Sequence, residues 1–271
     1  MSDVLAIHDL SCYGKSSLSV VAPVLESLGS ECSSVPTSLL STQTDGFDSL
    51  FVQDLTDSMR SIFMMHEKLG LGFDAVYSGY LGSSDQICIV EDMIRHYGAF
   101  TLVDPVLGDN GALYQTMGQD SVDSMKHLVR LASMITPNYT EARLLTGFDH
   151  VGRLSNAGIC ELTDAVRHLG PEIGVITSVP ITVGLANIAY DSNGYRIFQF
   201  DDIGISYPGS GDLFASLLLG LMLGGMQFFT SAKSATDIAS YAVYESKRKE
   251  RERRRGVMLS PVFSEIRRRA L

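Results

Sequence analysis

Short apolar runs and longer stretches of helical spacing alternate along the chain, and this rhythm predicts its elements. Residues 4–7 form a continuous apolar run, which predicts a short buried strand. Residues 16–28 carry apolar side chains at helical spacing and stop at Gly29. Residues 32–36 read as a second strand, followed by a polar loop over 37–48 rich in hydroxyls, and residues 50–69 predict one long amphipathic helix. Strands are then expected at 75–78, 100–103, 134–136 and 175–177, with helices at 84–97, 122–131, 139–145 and 158–169 between them. Residues 182–190 and 195–200 flank Asp191-Ser192-Asn193-Gly194, an Asn-Gly turn signal that predicts a hairpin. Two long helices, 210–223 and 230–248, close the pattern.

Strands that alternate with helices predict an α/β fold: a central, mostly parallel sheet with helices on both faces. Such sheets collect ligands at the carboxyl ends of their strands. No repeat, linker or low-complexity segment divides the chain, and its 271 residues suit a single domain spanning 1–271. Residues 213–232 contain no charge and reach the length of a membrane span, but Gly220, Gly224 and Gly225 break the run. A buried core helix with a Gly-Gly turn explains it better. The charge run 247–255 reads as the solvated end of the last helix.

Charge and cysteines narrow the partners. Thirty-one Asp and Glu against 21 Lys and Arg, a net charge of −10, disfavour nucleic acid, whose binding requires phosphate neutralisation. A nucleotide remains compatible, because Mg²⁺ and a few local donors can meet its charge. Cys12, Cys32, Cys88 and Cys160 are widely spaced and match no metal or disulfide pattern, which points to free thiols in a reducing cytoplasm. No basic, apolar leader opens the chain, so no secretion signal and no membrane partner are expected.

Three stretches carry candidate chemistry. Gly209-Ser210-Gly211-Asp212 follows a strand and loop and opens an apolar helix. Glycines there free backbone N–H groups to face an anion at the positive end of the helix dipole. A carboxylate beside an anion hole makes sense as a base that removes a proton from an attacking hydroxyl; otherwise Asp212 is an ordinary first-turn acid. Asp104-Pro105-Val106-Leu107-Gly108-Asp109 ends a strand, and its carboxylates suit Mg²⁺ or phosphates, or simply a strand-ending turn. Thr136-Pro137-Asn138-Tyr139-Thr140-Glu141 starts a helix; Asn138 and Glu141 have capping-box spacing, or they serve the Mg²⁺ hydration shell.

Together these stretches resemble the ribokinase superfamily, and within it the pyridoxal/pyridoxamine kinases, over essentially the whole chain. The Gly108-Asp109 step after Asp-Pro-Val-Leu resembles the B6 kinases more than the hydroxymethylpyrimidine kinases. The segments Asp9-Leu10-Ser11-Cys12-Tyr13-Gly14 and Ser41-Thr42-Gln43-Thr44-Asp45-Gly46 are similar to that family's substrate loops. The resemblance implies a ribokinase-like kinase that uses ATP and Mg²⁺ on the hydroxymethyl group of a small pyridine. A hydroxymethylpyrimidine kinase is the alternative. The resemblance implies that Asp212 is the catalytic base, with Gly209, Ser210 and Gly211 as the anion hole. Asp104, Asp109 and Thr177 would lie by ATP, and Asp104, Asn138 and Glu141 around Mg²⁺. Asp9, Thr44 and Tyr80 would face the pyridine. A homodimer is usual for such kinases, and a need for a monovalent cation stays open. Many of them have Ser where this chain has Asp9 and His where it has Gln43. A carboxylate at Asp9 suggests a preference for pyridoxamine, whose ammonium it could meet; it also suits the ring nitrogen or a helix cap.

Other readings carry less. Gly14-Lys15-Ser16 is half of a P-loop, with Asp9 in place of the required first glycine. The six histidines show no zinc pattern, and His8 reads as a buried histidine close to the site. A nucleotide-binding regulator without turnover is disfavoured by Asp212 and its two glycines.

Overall fold

The computed structural model describes residues 1–115, 117–150 and 152–270. The chain condenses into two compact units, Met1–Ala75 with Asp202–Leu271, and Val76–Asp201. In the first unit β1 (Asp3–Ser11), α1 (Leu18–Ser27), β2 (Glu31–Leu40), β3 (Val52–Asp54) and α2 (Thr56–Leu69) follow in order. β1 and β2 are parallel from Asp3↔Glu31 onward, and Val4, Leu5, Ala6 and Ile7 are fully buried, as a doubly covered strand requires. The register slips between His8 and Leu10, beside Pro36, which has no N–H to give the ladder.

The second unit holds β4 (Ala75–Ser78), α3 (Ser84–Tyr97), β5 (Phe100–Val103), β6 (Gly108–Asp109), β7 (Ala112–Leu113) and α4 (Gln119–Val129). It continues through β8 (Met134–Ile135), α5 (Tyr139–Thr146), α6 (Asn156–Arg167), β9 (Ile173–Pro180), β10 (Leu185–Asp191) and β11 (Gly194–Phe200). Its strand order is β4-β5-β8-β9-β10-β11. β5, β8 and β9 pair in parallel; β9, β10 and β11 pair antiparallel around the expected hairpin, with Asp191 opposite Gly194. The chain then returns to the first unit as α7 (Ser210–Leu223), α8 (Phe228–Arg248) and α9 (Ser260–Ala270). The predicted class holds: α/β, mostly parallel strands, helices on both faces.

Several expectations need correction. Residues 50–55 do not begin α2: β3 pairs antiparallel with β2, Ser38 to Leu40 against Val52 to Asp54. β2 itself runs through Leu40, into the segment expected as loop. Residues 108–113 form a small hairpin, β6 with β7, inside a predicted loop. Gly220 does not interrupt α7. A Cβ there would stand 2.5 Å from Leu28 Cδ1, so the glycine lets α7 approach α1. Among the described residues no helix is long and apolar enough to cross a membrane. The charge run is an exposed helix end only at its start: α8 stops at Arg248 with Lys249 as its C-cap, and a 3-10 turn, Arg253–Arg255, follows. Its side chains hold loops, with Arg253 Nε donating to Ser206 O at 2.9 Å and pairing with Asp45.

Candidate active site

Within the first unit the structure brings together Asp9, Asp212 and Gly209 to Gly211. Gly209 caps α7 at φ 81°, and an added Cβ would lie 2.3 Å from Lys15 O, so both conformation and space demand glycine. Gly211 is exposed, and nothing would meet its Cβ. Asp212 sits in the first turn of α7, 15% exposed, and its Oδ2 accepts the Ser17 N–H at 2.8 Å. Burial pushes its pKa up to about 6; the Ser17 N–H opposes this, and the Asp9 charge adds to it. His8, fully buried within β1, has Nδ1 3.8 Å from Asp212 Oδ1. Burial pulls the His8 pKa down to about 3, so it stays neutral and is no counter-ion.

Asp9 is buried at the β1 register slip. Its carboxylate accepts hydrogen bonds from Ser17 Oγ and, at 3.1 Å, from Ser11 Oγ. It reaches the N-cap residue of α1, not the helix amides, so it is not a helix cap. Burial raises its pKa above the usual carboxylate range, against the two serine hydroxyls. Ser17 was not singled out from the sequence. It has φ 49° and ψ −132°, and nothing about a serine signals that backbone.

Thr44 is exposed on the loop after β2. Gln43 beside it is buried and turns back on its own loop: Nε2 donates to Asp45 O at 2.5 Å, and Oε1 accepts from Asp45 N at 2.6 Å. The Arg254 guanidinium lies over the Phe47 ring at 5.3 Å and helps hold that loop.

The second unit gathers Asp104, Asn138, Glu141 and Thr177. The capping box is present: Asn138 Oδ1 accepts from Glu141 N at 2.9 Å, and Glu141 Oε2 accepts from Asn138 N at 2.8 Å. Glu141 Oε1 also accepts from Leu107 N at 3.2 Å, while Asn138 Nδ2 donates to Gly108 O at 2.9 Å. The two turns after β5 and β8 are thereby stitched together. Asp104 accepts from Thr136 Oγ1 at 3.1 Å. Burial, and then the neighbouring Asp104 charge, drive the Glu141 pKa well above its ordinary value. Thr177 bridges Asn138, its N–H donating to Pro137 O at 2.8 Å. It precedes Ser178, at φ 56°, where the β9–β10 register slips. Asp109 is exposed on β6, with Oδ1 taken by Asn110 N at 2.7 Å, and Tyr80 is half-buried after β4.

These elements define a ribokinase-like kinase fold, and comparison with known proteins makes the assignment specific. The model of the phosphomethylpyrimidine kinase family matches residues 23–255. A pyridoxine/pyridoxal/pyridoxamine kinase from Bordetella avium is 30% identical over 241 residues, 82% of this chain and 78% of that protein. The structure of pyridoxal kinase from Lactobacillus plantarum superposes with TM-score 0.93 at 31% identity, covering 100% of this chain and 98% of that one. A Bacteroides thetaiotaomicron structure, described as that of a phosphomethylpyrimidine kinase and in a crystal form with pyridoxal, has TM-score 0.90 at 33% identity, covering 98% of this chain and 96% of that one. The chain belongs to the phosphomethylpyrimidine kinase family, among its pyridoxal kinase members.

Proposed function

We propose that the chain phosphorylates the 5′-hydroxymethyl group of a vitamin B6 vitamer (pyridoxal, pyridoxine or pyridoxamine) with ATP, releasing ADP. The observation that carries this reading is Asp212: a half-buried carboxylate with a pKa near 6, in the first turn of α7 behind Gly209-Ser210-Gly211. Such a group is charged at neutral pH yet basic enough to accept a proton. Asp212 takes the hydroxyl proton as the substrate oxygen bonds to the γ-phosphorus, and the bond to the β-γ bridging oxygen breaks to leave ADP. The amides of Gly209 and Gly211 and the helix dipole stabilise the transferring charge, whereas the Ser210 N–H donates to Tyr207 O at 3.2 Å.

Asp104, Asn138 and Glu141 offer only oxygen acceptors besides one amide NH₂, which suits a hard cation such as Mg²⁺. Both Glu141 oxygens already accept main-chain N–H groups, so these residues would hold the ion through its water shell. Mg²⁺ when bound neutralises phosphate charge, and it would relieve the repulsion between Asp104 and Glu141. Asp109 and Thr177 are assigned to ATP, and Thr44 and Tyr80 to the pyridine. A cytoplasmic homodimer, with or without a monovalent cation, completes the proposal.

A hydroxymethylpyrimidine kinase is the second reading, favoured by the description of the matching family model. Turnover of ATP with each of the three vitamers and with hydroxymethylpyrimidine tests both. Activity on hydroxymethylpyrimidine alone would replace the first reading with the second.

A further inference from the structure

Ser17 is out of place in three ways. Its backbone, φ 49° and ψ −132°, lies where L-residues are strained and glycine is not. As the N-cap of α1 it makes no side-chain capping bond, although serine favours that role. Its hydroxyl instead donates to buried Asp9, and its N–H donates to Asp212 Oδ2 at 2.8 Å. Strain of this kind persists only where surroundings impose it, and it gathers at functional sites.

The surroundings are explicit. Asp9 is fixed by the end of β1 and by Ser11, whose own Oγ accepts from Ser16 Oγ at 3.1 Å. The loop before Ser17 is pinned at Lys15, whose N–H donates to Arg255 O at 3.1 Å. The Lys15 carbonyl packs against both Gly209 and Gly256, each of which would place a Cβ 2.3 Å from it. The titratable groups facing Asp212 from these elements are His8 and Asp9 on β1.

We infer that Asp9 is a positioning residue: by gripping the Ser17 hydroxyl it holds Ser17 in its strained conformation and so aims the Ser17 N–H at the base. Asp9 then acts on the base through Ser17 and need not touch substrate. The inference rests on the assignment of Asp212 as base.

The test measures kcat against pH in the parent and in Ser17→Ala, Ser17→Gly, Asp9→Asn and Asp212→Asn. Alanine keeps the strain and loses the grip, so the loop relaxes and Asp212 loses a donor. We expect kcat to fall about tenfold or more, with the acid limb moved to higher pH and KM for ATP little changed. Glycine takes the same backbone without strain and should lose clearly less than alanine. Asp9→Asn loosens the same grip and also removes a charge beside Asp212; these shift the acid limb in opposite directions, so the readout for this variant is kcat, which should fall. Asp9→Asn should also cost less in the Ser17→Gly background than in the parent. If Ser17→Ala does not fold, that double-mutant comparison decides alone.

Parental kcat and acid limb in Ser17→Ala would overturn the inference. So would a glycine variant as impaired as the alanine one, or an equal cost of Asp9→Asn in both backgrounds. Parental turnover in Asp212→Asn would remove the base assignment itself. A dead Asp212→Asn beside an indifferent Ser17→Ala removes the positioning role alone.

Discussion

Asp9 and Asp212, far apart in the chain, are bridged by a single residue: Ser17 donates its hydroxyl to the first and its amide N–H, at 2.8 Å, to the second. Burial raises the proton affinity of both carboxylates, and the Asp9 charge raises that of Asp212 further. A base near neutrality is the chemical gain. The cost falls on the folded state.

That cost is measurable. The Asp212 pKa rises from 3.8 to about 6 on folding. A raised carboxylate pKa gives stability that is fully present below the unfolded value and lost as pH rises through the folded one. The loss above about pH 6 is on the order of 3 kcal/mol. Asp212→Asn should therefore unfold at a temperature several degrees higher than the parent at pH 7.5, with the gap closing by about pH 4. Parental kcat/KM should rise with pH through a midpoint near 6 and then level. Thermal melts at the two pH values check the first statement and a rate profile the second; a variant less stable than the parent at pH 7.5 contradicts the assignment.

The two glycines of the helix start should part company when substituted. Gly209→Ala meets both a φ of 81° and a carbonyl oxygen 2.3 Å from its Cβ, so it should lose more than about 2 kcal/mol of stability. At Gly211 a Cβ meets nothing within 4 Å. Gly211→Val should fold with a stability change below about 1 kcal/mol and yet lose turnover, because its side chain would crowd the anion hole. Near-normal turnover in a folded Gly211→Val would remove the anion-hole role.

Much of this was legible in the sequence because local signals agreed. β4, α3, β5 and α7 fall where periodicity and their flanking Gly, Ser or Asp-Pro residues place them. Residues 50–55 misled because Phe51, Val52 and Leu55 extend the apolar pattern of α2, whereas their backbone is claimed by β2, a partner no local window contains. The hydroxyl-rich loop and the arginine run showed their composition but not that Arg253 pairs with Asp45 or that Arg254 covers Phe47. Ser17 was invisible for a sharper reason. Its importance lies in a backbone angle that serine rarely adopts, imposed by Asp9 and the loop around it.

Glu141 offers a test of cap against metal role. Glu141→Gln retains one carbonyl oxygen for the two main-chain donors, Leu107 N–H and Asn138 N–H, so one loses its acceptor at about 1–3 kcal/mol. If Glu141 also orders the hydration shell of Mg²⁺, the Mg²⁺ concentration for half-maximal rate should rise about tenfold. A lowered melting temperature with an unchanged Mg²⁺ titration would leave Glu141 as a helix cap only.

The last prediction concerns which vitamer Asp9 favours. The sequence suggested that a carboxylate at this position meets the pyridoxamine ammonium, a charge-assisted bond of roughly 1.5–3 kcal/mol and hence about ten- to a hundredfold in preference. In the structure Asp9 is 4% exposed and accepts from Ser17 and Ser11. Engaging an ammonium would mean releasing Ser17 and with it the N–H on Asp212. The positioning role therefore expects Asp9→Asn to lower kcat/KM for pyridoxamine and pyridoxal by the same factor. Their ratio should stay within about twofold of the parent, because the change acts on the base that both substrates share. A ratio that collapses toward one from a marked parental preference for pyridoxamine would return Asp9 to the substrate.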